Sequence, residues 1–443
     1  MSPAAAVSLA KDLMGIRGAE SERLDRIRHY LRDDPELLLT GVPRGVPREV
    51  QQLTRISRVN MVKFVVNSRV QAMYVDGYRT PRAADDLPVW KTWKRNGMPA
   101  RQIGVHRAGL AYGASYAVTL PGDTGPTMRG LSPRKLTVSP REDDDRLALC
   151  ALEDRGRGRY RLYDETSVYE LARDQNRAFT VVDVRTHGAT YYGEPVCPIV
   201  RYRDTEDLDD EVSGVVEPIM ALQDQINITT FGLLVAQHYG AFRQRYILGW
   251  LAKNEEERLK ASASQLWTFE DAPQDIAVGE FGQTDLSGYL DSREATLRHL
   301  ATISQTPAHE MLGMLVNVSA DALAAADAAH RRAVGENQTV MGAAHELFLN
   351  ISGGYIGEAP DESASVRWRD TEARALSQVA DALGKLAAQL QIPPQELWER
   401  IPGVTDDDIA RWKLAREAGD PLTQLRGELD RLVVPEPGAD NGA

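Results

Sequence analysis

Residues 211–250, EVSGVVEPIMALQDQINITTFGLLVAQHYGAFRQRYILGW, constrain the fold more than any other stretch of the chain. Val212, Val215, Ile219, Leu222, Ile226 and Leu233 recur at the three-and-four spacing that places them in one stripe of a helix. Pro218 suits a first turn, where its missing N–H costs nothing, and Gly240 suits a left-handed C-terminal cap. At about 1.5 Å per residue, Pro218 to Tyr239 makes a rod of roughly 33 Å. Gln223, Asn227 and Thr230 share another face, with uncharged hydrogen-bonding groups where a solvated helix carries Lys and Glu. Such a face predicts packing against a neighbouring copy, which makes these three the candidate subunit-interface residues. The alternative is an ordinary long core helix. Beyond Gly240 the pattern switches to a strand-like basic segment, Phe242 to Leu248, with Arg243 and Arg245. No catalytic pattern occurs anywhere in this stretch.

A chain of 443 residues with 42% hydrophobic and 26% charged residues has the composition of a soluble globular protein with roughly two to four structural units. The net charge of −12 argues against a nucleic-acid binder that grips phosphates, because that affinity rests on clustered Lys and Arg. Any DNA contact is expected to be local or transient. Cys150 and Cys197 lack C-x-x-C spacing and read as reduced core residues in a cytosolic setting. The N-terminal MSPAAAVSLAKDLMGIRG lacks the apolar core of a signal peptide, and no apolar run approaches the ~18 residues of a membrane span. The expected compartment is therefore aqueous and reducing, with no membrane partner.

Along the chain, Ser21 to Arg32 reads as an amphipathic helix, and Asn60 to Val75 as a second with Val62, Val65, Val66, Val70 and Met73 on one face. Between them GVPRGVPR, 41–48, is a bent linker or, less simply, a basic docking peptide. A third helix runs from about Gln102 to Tyr112. The period then changes to two: 115–120, 147–153, 159–172, 178–186 and 196–202 predict a small antiparallel β unit. Its acidic EDDD, 142–145, is most simply a solvated turn; a metal site would need further converging ligands.

After residue 248 come a Lys/Glu-rich helical piece around 253–260, a short strand pair within 267–281, and a helix from about 285 with Leu286, Leu290, Leu297 and Leu300 on one face. Residues 304–319, SQTPAHEMLGMLVNVS, have no clear period and read as a long functional loop. Ser319 is an N-cap for an alanine-rich helix, whose small side chains allow close approach but little burial of their own. Residues 361–432 read as helical, with Leu376, Val379, Leu383, Leu386 and Leu390 as a stripe, and the final VPEPGADNGA as disordered.

Recognisable chemistry is missing. His309-Glu310 and His345-Glu346 open H-E-x-x-H patterns, but Gly313 and Leu349 stand where the second histidine belongs. No phosphate loop, nucleophile elbow or dinucleotide fingerprint occurs, and the eight histidines are scattered. Neither enzyme, metal nor cofactor is expected.

Five blocks in order carry a resemblance: NMVKFVVNSRVQAMYVDGYR at 60–79, WKRNGMPARQIGVHRAGLAYGASYAVT at 93–119, PVCPIVRYRDT at 195–205, EPIMALQDQINITTF at 217–231 and VNVSADALAAADAAHRRAVGENQTVMGAAHELFLNI at 316–351. With these the chain resembles the portal, or head-to-tail connector, of tailed double-stranded-DNA bacteriophages of the long-tailed type, over roughly residues 25–355. The resemblance implies an α+β portal architecture assembled as a ring of twelve. It comprises an α/β wing at 1–212, a first stem helix at 213–240, a small α/β clip at 241–284, a second stem helix at 285–303, a tunnel loop at 304–319, and a long helix with a helical crown at 320–443. It implies a structural role in the virion at one capsid vertex, assembled in the host cytoplasm. The partners would be passing double-stranded DNA, the terminase large subunit, a head-tail adaptor, and capsid and scaffolding proteins.

By position, His309, Met311, Met314 and Asn317 become tunnel-loop candidates, and Lys253, Arg258, Arg293 and Arg298 DNA-facing candidates. The acidic net charge fits a channel through which DNA slides, since each phosphate neutralised by Lys or Arg adds salt-dependent affinity. The competing expectation is a monomeric α+β nucleic-acid-processing enzyme with the long helix in its core.

Overall fold

A computed structural model describes residues 1–32, 48–81, 86–209, 213–240, 245–248, 266–269, 277–280, 285–313, 320–369, 376–401, 404 and 406–419. These form two compact units, Met1–Trp368 and Arg369–Ala443. The 41–47 part of the predicted linker, the predicted helical piece at 253–260, the Ser319 cap and the predicted disordered tail lie outside the described residues.

The first unit opens with α1 (Pro3–Arg32), which begins well before the predicted Ser21. Ala6, Ala10 and Leu13 are its early buried positions, and alanines gave too weak an apolar signal to mark that face in the sequence. Next come α2 (Arg48–Ile56), α3 (Met61–Gln71), β1 (Val75–Arg79), α4 (Pro88–Arg95) and α5 (Met98–Tyr112). Asn60 caps α3, its side chain accepting from the Lys63 N–H. Gly97 and Gly113 bound α5 in left-handed conformations. The short α4, not foreseen, buries Trp90 and Trp93.

Two antiparallel sheets follow. One has the order β11-β2-β3, from β2 (Ala114–Leu120), β3 (Thr127–Leu131) and β11 (Ile199–Arg203). The other is a five-stranded meander of β4 (Leu136–Pro140), β5 (Ala148–Gly156), β6 (Arg159–Tyr163), β7 (Ser167–Arg173) and β8 (Phe179–Thr186). The predicted single run 159–172 is thus a hairpin, its turn fixed by Asp164 Oδ1, which accepts from the Thr166 and Ser167 N–H groups at 2.8 and 2.6 Å. The early half of α1 packs on Leu152, Leu162, Tyr169 and Phe179 of the meander. Tyr163, Val168, Val118 and Ile199 join the two sheets in a separate cluster.

A minor pair, β9 (Thr190–Tyr191) and β10 (Glu194–Pro195), precedes β11. A 3₁₀ turn, Glu217–Ile219, leads into α6 (Met220–Gly240). Beyond it, β12 (Arg245–Leu248) lies between β13 (Leu266–Phe269), parallel to it, and β14 (Ala277–Glu280), antiparallel. Then come α7 (Ser287–Ile303), α8 (Ala308–Leu312), the 35-residue α9 (Ala320–Gly354) and β15 (Ser365–Trp368). In place of the helix predicted from residue 361, β15 pairs with β1, Tyr78 opposite Val366.

The main core joins α3, α4, α5, α9, β11 and the start of α6. Both cysteines are free and buried. Burial pushes the Cys150 thiol up to about 11 and the Cys197 thiol well above its usual range. In the second unit, α10 (Leu376–Leu390) buries Val379, half-buries Leu383 and Leu386 and exposes Leu390. It is followed by α11 (Pro394–Leu397) and α12 (Asp406–Gly419), across which Trp398 and Trp412 meet edge to face at 5.8 Å.

Candidate functional site

The long helix predicted to be the first stem helix is α6, and it packs along α7. Gly232 permits the approach: a Cβ there would lie 2.9 Å from Tyr289 Cε1. The base of α6 is tied to α1. Arg23 Nε donates to both Glu217 carboxylate oxygens at 3.1 and 3.0 Å, and the Tyr30 hydroxyl donates to Asp224 at 2.6 Å.

The uncharged polar face of α6 has a partner inside the subunit, which revises the interface expectation for Gln223 and Asn227. They are only 3% and 8% exposed. Gln223 Oε1 accepts from the Met61 and Val62 N–H groups at 2.8 and 3.2 Å, and its Nε2 donates to the Val59 carbonyl at 2.7 Å. Asn227 Oδ1 accepts from Gln223 Nε2 and from the Val59 N–H. The two amides therefore satisfy the Val62 and Val59 N–H groups of the chain entering α3 and add a second bond to the Met61 N–H and the Val59 carbonyl, which also pair with each other at 3.1 Å. Thr230 is half-buried and donates back to the Ile226 carbonyl at 2.7 Å.

The helix pair leaves large apolar side chains uncovered among polar ones such as Gln225, Asp291 and Arg298. Ile228 is 65% exposed, Ile303 54% and Leu290 51%, the last despite its place in the predicted α7 stripe. The helix Glu217–His238 is long and apolar enough to cross a membrane by length and composition, with 33% of its most apolar window buried within the subunit. Gln223, Asp224, Gln225 and Asn227 interrupt its apolar run, so no uninterrupted apolar stretch of that length occurs there.

The segment after α7 is more ordered than the loop expected there. Thr306 N–H bonds the Ala301 carbonyl at 3.0 Å and Gln305 N–H bonds that of Thr302 at 3.3 Å, with Gln305 at φ +50°. This is a Schellman cap with glutamine where glycine is usual. α8 follows and ends at Gly313, φ +64°. Met311 lies buried in the main core and Leu312 packs against it, so Met311 is corrected from a channel candidate to a core residue. His309 Nε2 lies 3.8 Å from Asp327 of α9. Met314 and Asn317 lie outside the described residues, as do Lys253 and Arg258 of the DNA-facing set. On α7, Arg293 is half-buried and Arg298 is exposed, paired with Glu294 one turn earlier.

Two arrangements had no local signal. His106 and His345, 239 residues apart, share a 2.8 Å Nε2···Nε2 hydrogen bond, and the Tyr202 hydroxyl meets His345 Nδ1 at 3.1 Å. Trp93 stands edge-on to His345, joining α4, α5, β11 and α9. Arg69 of α3, 6% exposed, donates through Nη2 to the Ser304 carbonyl at 2.8 Å and through Nη1 to Asn337 Oδ1 at 3.4 Å. The EDDD turn is laced with arginines: Asp143 with Arg141, Asp144 with Arg146, and Asp145 with Arg203 and Arg201. Among the described residues no group of His, Cys, Asp or Glu has the arrangement of a metal site.

A family model described as "Phage portal protein, SPP1 Gp6-like" matches residues 19–421. No curated protein matches the chain. Among solved structures, a chain in the neck of an empty gene transfer agent (GTA) particle computed with C6 symmetry is 17% identical, with a TM-score of 0.50 over 81% of this chain and 94% of that one. A chain in the virion of a native GTA particle is also 17% identical, with a TM-score of 0.48 over 81% and 99%. At this identity the neck chain speaks for a shared fold. The match to the family model runs through both sheets, the α6–α7 pair and α9, and on it the chain belongs to the SPP1 Gp6-like family of phage portal proteins.

Proposed function

We propose that this chain is the subunit of a twelve-membered ring at one capsid vertex of a phage-like particle, through which double-stranded DNA is packaged and ejected. The family match over residues 19–421 carries the reading. In it, α6 and α7 form the stem, the β12–β14 sheet belongs to the clip, and the 304–319 segment, anchored in the core through Met311, faces the channel. Heterologous packing around a ring gives every subunit the same two neighbours. It would cover Ile228, Leu290 and Ile303, which a lone subunit leaves in water. Thr230 sits at the margin of that contact. A sheet as small as β12–β14 gains stability by pairing its edges with adjacent copies.

The DNA-facing positions are His309, Met314, Asn317, Lys253, Arg258, Arg293 and Arg298, and the net charge of −12 keeps their hold on phosphates weak. The terminase large subunit supplies ATP hydrolysis, and a head-tail adaptor, capsid and scaffolding proteins complete the assembly. The protein is structural, needs no cofactor and works in the virion after assembly in the host cytoplasm. Negative-stain imaging with native mass measurement tests this: rings with an axial hole are expected. A compact monomer, or metal-dependent cleavage of DNA that vanishes on replacing Asp143 and Asp144, overturns the proposal.

A further inference from the structure

The exit from α7 combines three unusual features. Gln305 adopts a left-handed conformation, φ +50°, that is unfavourable for a residue with a side chain. A strained exit persists only where its surroundings hold it, and two side chains from other helices grip this one. Arg69 of α3 donates to the Ser304 carbonyl. His330 of α9 meets the Gln305 carbonyl through Nδ1 at 3.2 Å, so that nitrogen carries the proton. Arg69 is also an expensive residue to place here, a guanidinium 6% exposed with its Nε buried and without a hydrogen-bond partner. Its neighbourhood is arranged around it: Asn337 accepts from Arg69 and donates to the Asp204 carbonyl, and Asp204 and Glu336 lend it favourable charge. A cation on the last carbonyls of a helix also complements the helix dipole.

We propose that Arg69 and His330 are positioning residues, a clamp that holds the root of the 304–313 segment in its strained exit and so sets the direction in which the following residues leave α7. The channel consequence rests on the proposed portal role; the clamp itself does not. If the clamp lets go, the strain at Gln305 favours a relaxed exit, and the segment re-aims while its anchor Met311 loosens from the core. The device links α3 in the wing and α9 directly to the segment assigned to the channel.

The test uses the full chain. Arg69→Lys keeps the charge but removes the two-armed grip, and should speed hydrogen exchange at the Gln305 and Thr306 amides about tenfold while leaving the five-stranded sheet unchanged. Adding Gln305→Gly, which removes the left-handed strain, should restore most of that protection. His330→Phe should act in the same direction as Arg69→Lys but more weakly. In particles, Arg69→Lys should leave the ring count unchanged and lower DNA retention, with Gln305→Gly rescuing it. Unchanged exchange at Gln305 and Thr306 in Arg69→Lys, or no rescue by Gln305→Gly, overturns the clamp. A wild-type chain that forms no rings overturns the portal role instead and leaves the exchange result to judge the clamp alone.

Discussion

The β-sheet half of the first unit and its α6–α7 pair satisfy their buried polar groups with different chemistry. Around the sheets, groups that could seek outside partners are matched internally. Glu153, 3% exposed, takes hydrogen bonds from Arg129 Nη1 and Nη2 at 2.7 and 2.6 Å and from the Tyr163 hydroxyl at 2.6 Å. Its carboxyl stays below the usual range because these donors outweigh its burial. The helix pair instead satisfies its polar groups inwardly, through Gln223 and Asn227, and turns Ile228, Leu290 and Ile303 outward. Both regions leave apolar side chains in water, Val182 and Val184 of β8 as well as those of the helix pair, and in the proposed ring the helix-pair residues are the ones that other copies of the chain cover.

The sharpest way to break this contrast is a large-to-small change where the chain closes on itself. Trp93 is fully buried, stacked on Trp90 and edge-on to His345 and Phe348. Trp93→Ala should cost about 3–5 kcal/mol in denaturant unfolding of the subunit. A loss near zero would mean that the subunit does not close on itself around Trp93.

Acid should produce the next effect. Burial pulls His106 down to about 4 and His345 well below the usual histidine value, so both stay neutral in the fold, while in the unfolded chain they titrate near about 6.5. Stability is then full above the unfolded value and falls as pH drops toward 4, because the unfolded chain binds protons that the folded one refuses; His106 alone should lose about 3 kcal/mol by pH 4, and His345 adds to that loss. Asp204 has the opposite sign. Burial raises its carboxyl to about 6, so the fold holds that proton more tightly than the unfolded chain and gains stability as pH falls through the same window. Asp204→Asn removes the opposing effect, and unfolding measured from pH 7 to 4 should show a steeper acid loss than the wild type.

A smaller effect sharpens the comparison within α6 itself. Gln223→Leu leaves the Val62 N–H without its partner and strips one hydrogen bond each from the Met61 N–H and the Val59 carbonyl, and should cost the subunit about 1–2 kcal/mol in thermal or denaturant unfolding. Were Gln223 a subunit contact alone, ring assembly would suffer and the isolated subunit would not. Ile228→Ser should do the reverse: the subunit changes by about 0.5 kcal/mol or less, while native mass shows fewer closed rings. Intact rings in that variant would place the contact on another face.

The regular elements were the easiest part to read in the sequence. Met61–Gln71, Met98–Tyr112, Met220–Gly240 and Ser287–Ile303 fall close to where apolar spacing, Pro218 and the glycine stops place helices, and β2, β5 and β8 where the period turns to two. The short α4 and β15 were missed because too few residues repeat in them to establish a period. Residues 304–313 were read as a loop because Pro307 and Gly313 flank only five helical residues, and nothing local says that Met311 is turned into the core. The site was harder. His106 with His345, and Arg69 with Ser304, are separated by more than two hundred residues, a distance over which periodicity carries no information.

By itself the sequence determined the α+β order of elements, the length and two-sidedness of α6, and, through five ordered blocks, the resemblance to phage portals. It also showed that Gln223 and Asn227 occupy a face unlike a solvated one. Only the tertiary structure decided which neighbour that face meets. Helical periodicity fixes angles around one axis, so it can say that two sides of a helix differ without saying what lies beyond either. Here the Val62 and Val59 N–H groups of the chain entering α3 arrive beside Gln223 and Asn227, and the need to satisfy them in a buried place draws the amides inward. The same folding leaves Ile228, Leu290 and Ile303 exposed on α6 and α7, on positions that the periodicity of one helix cannot assign to a neighbour.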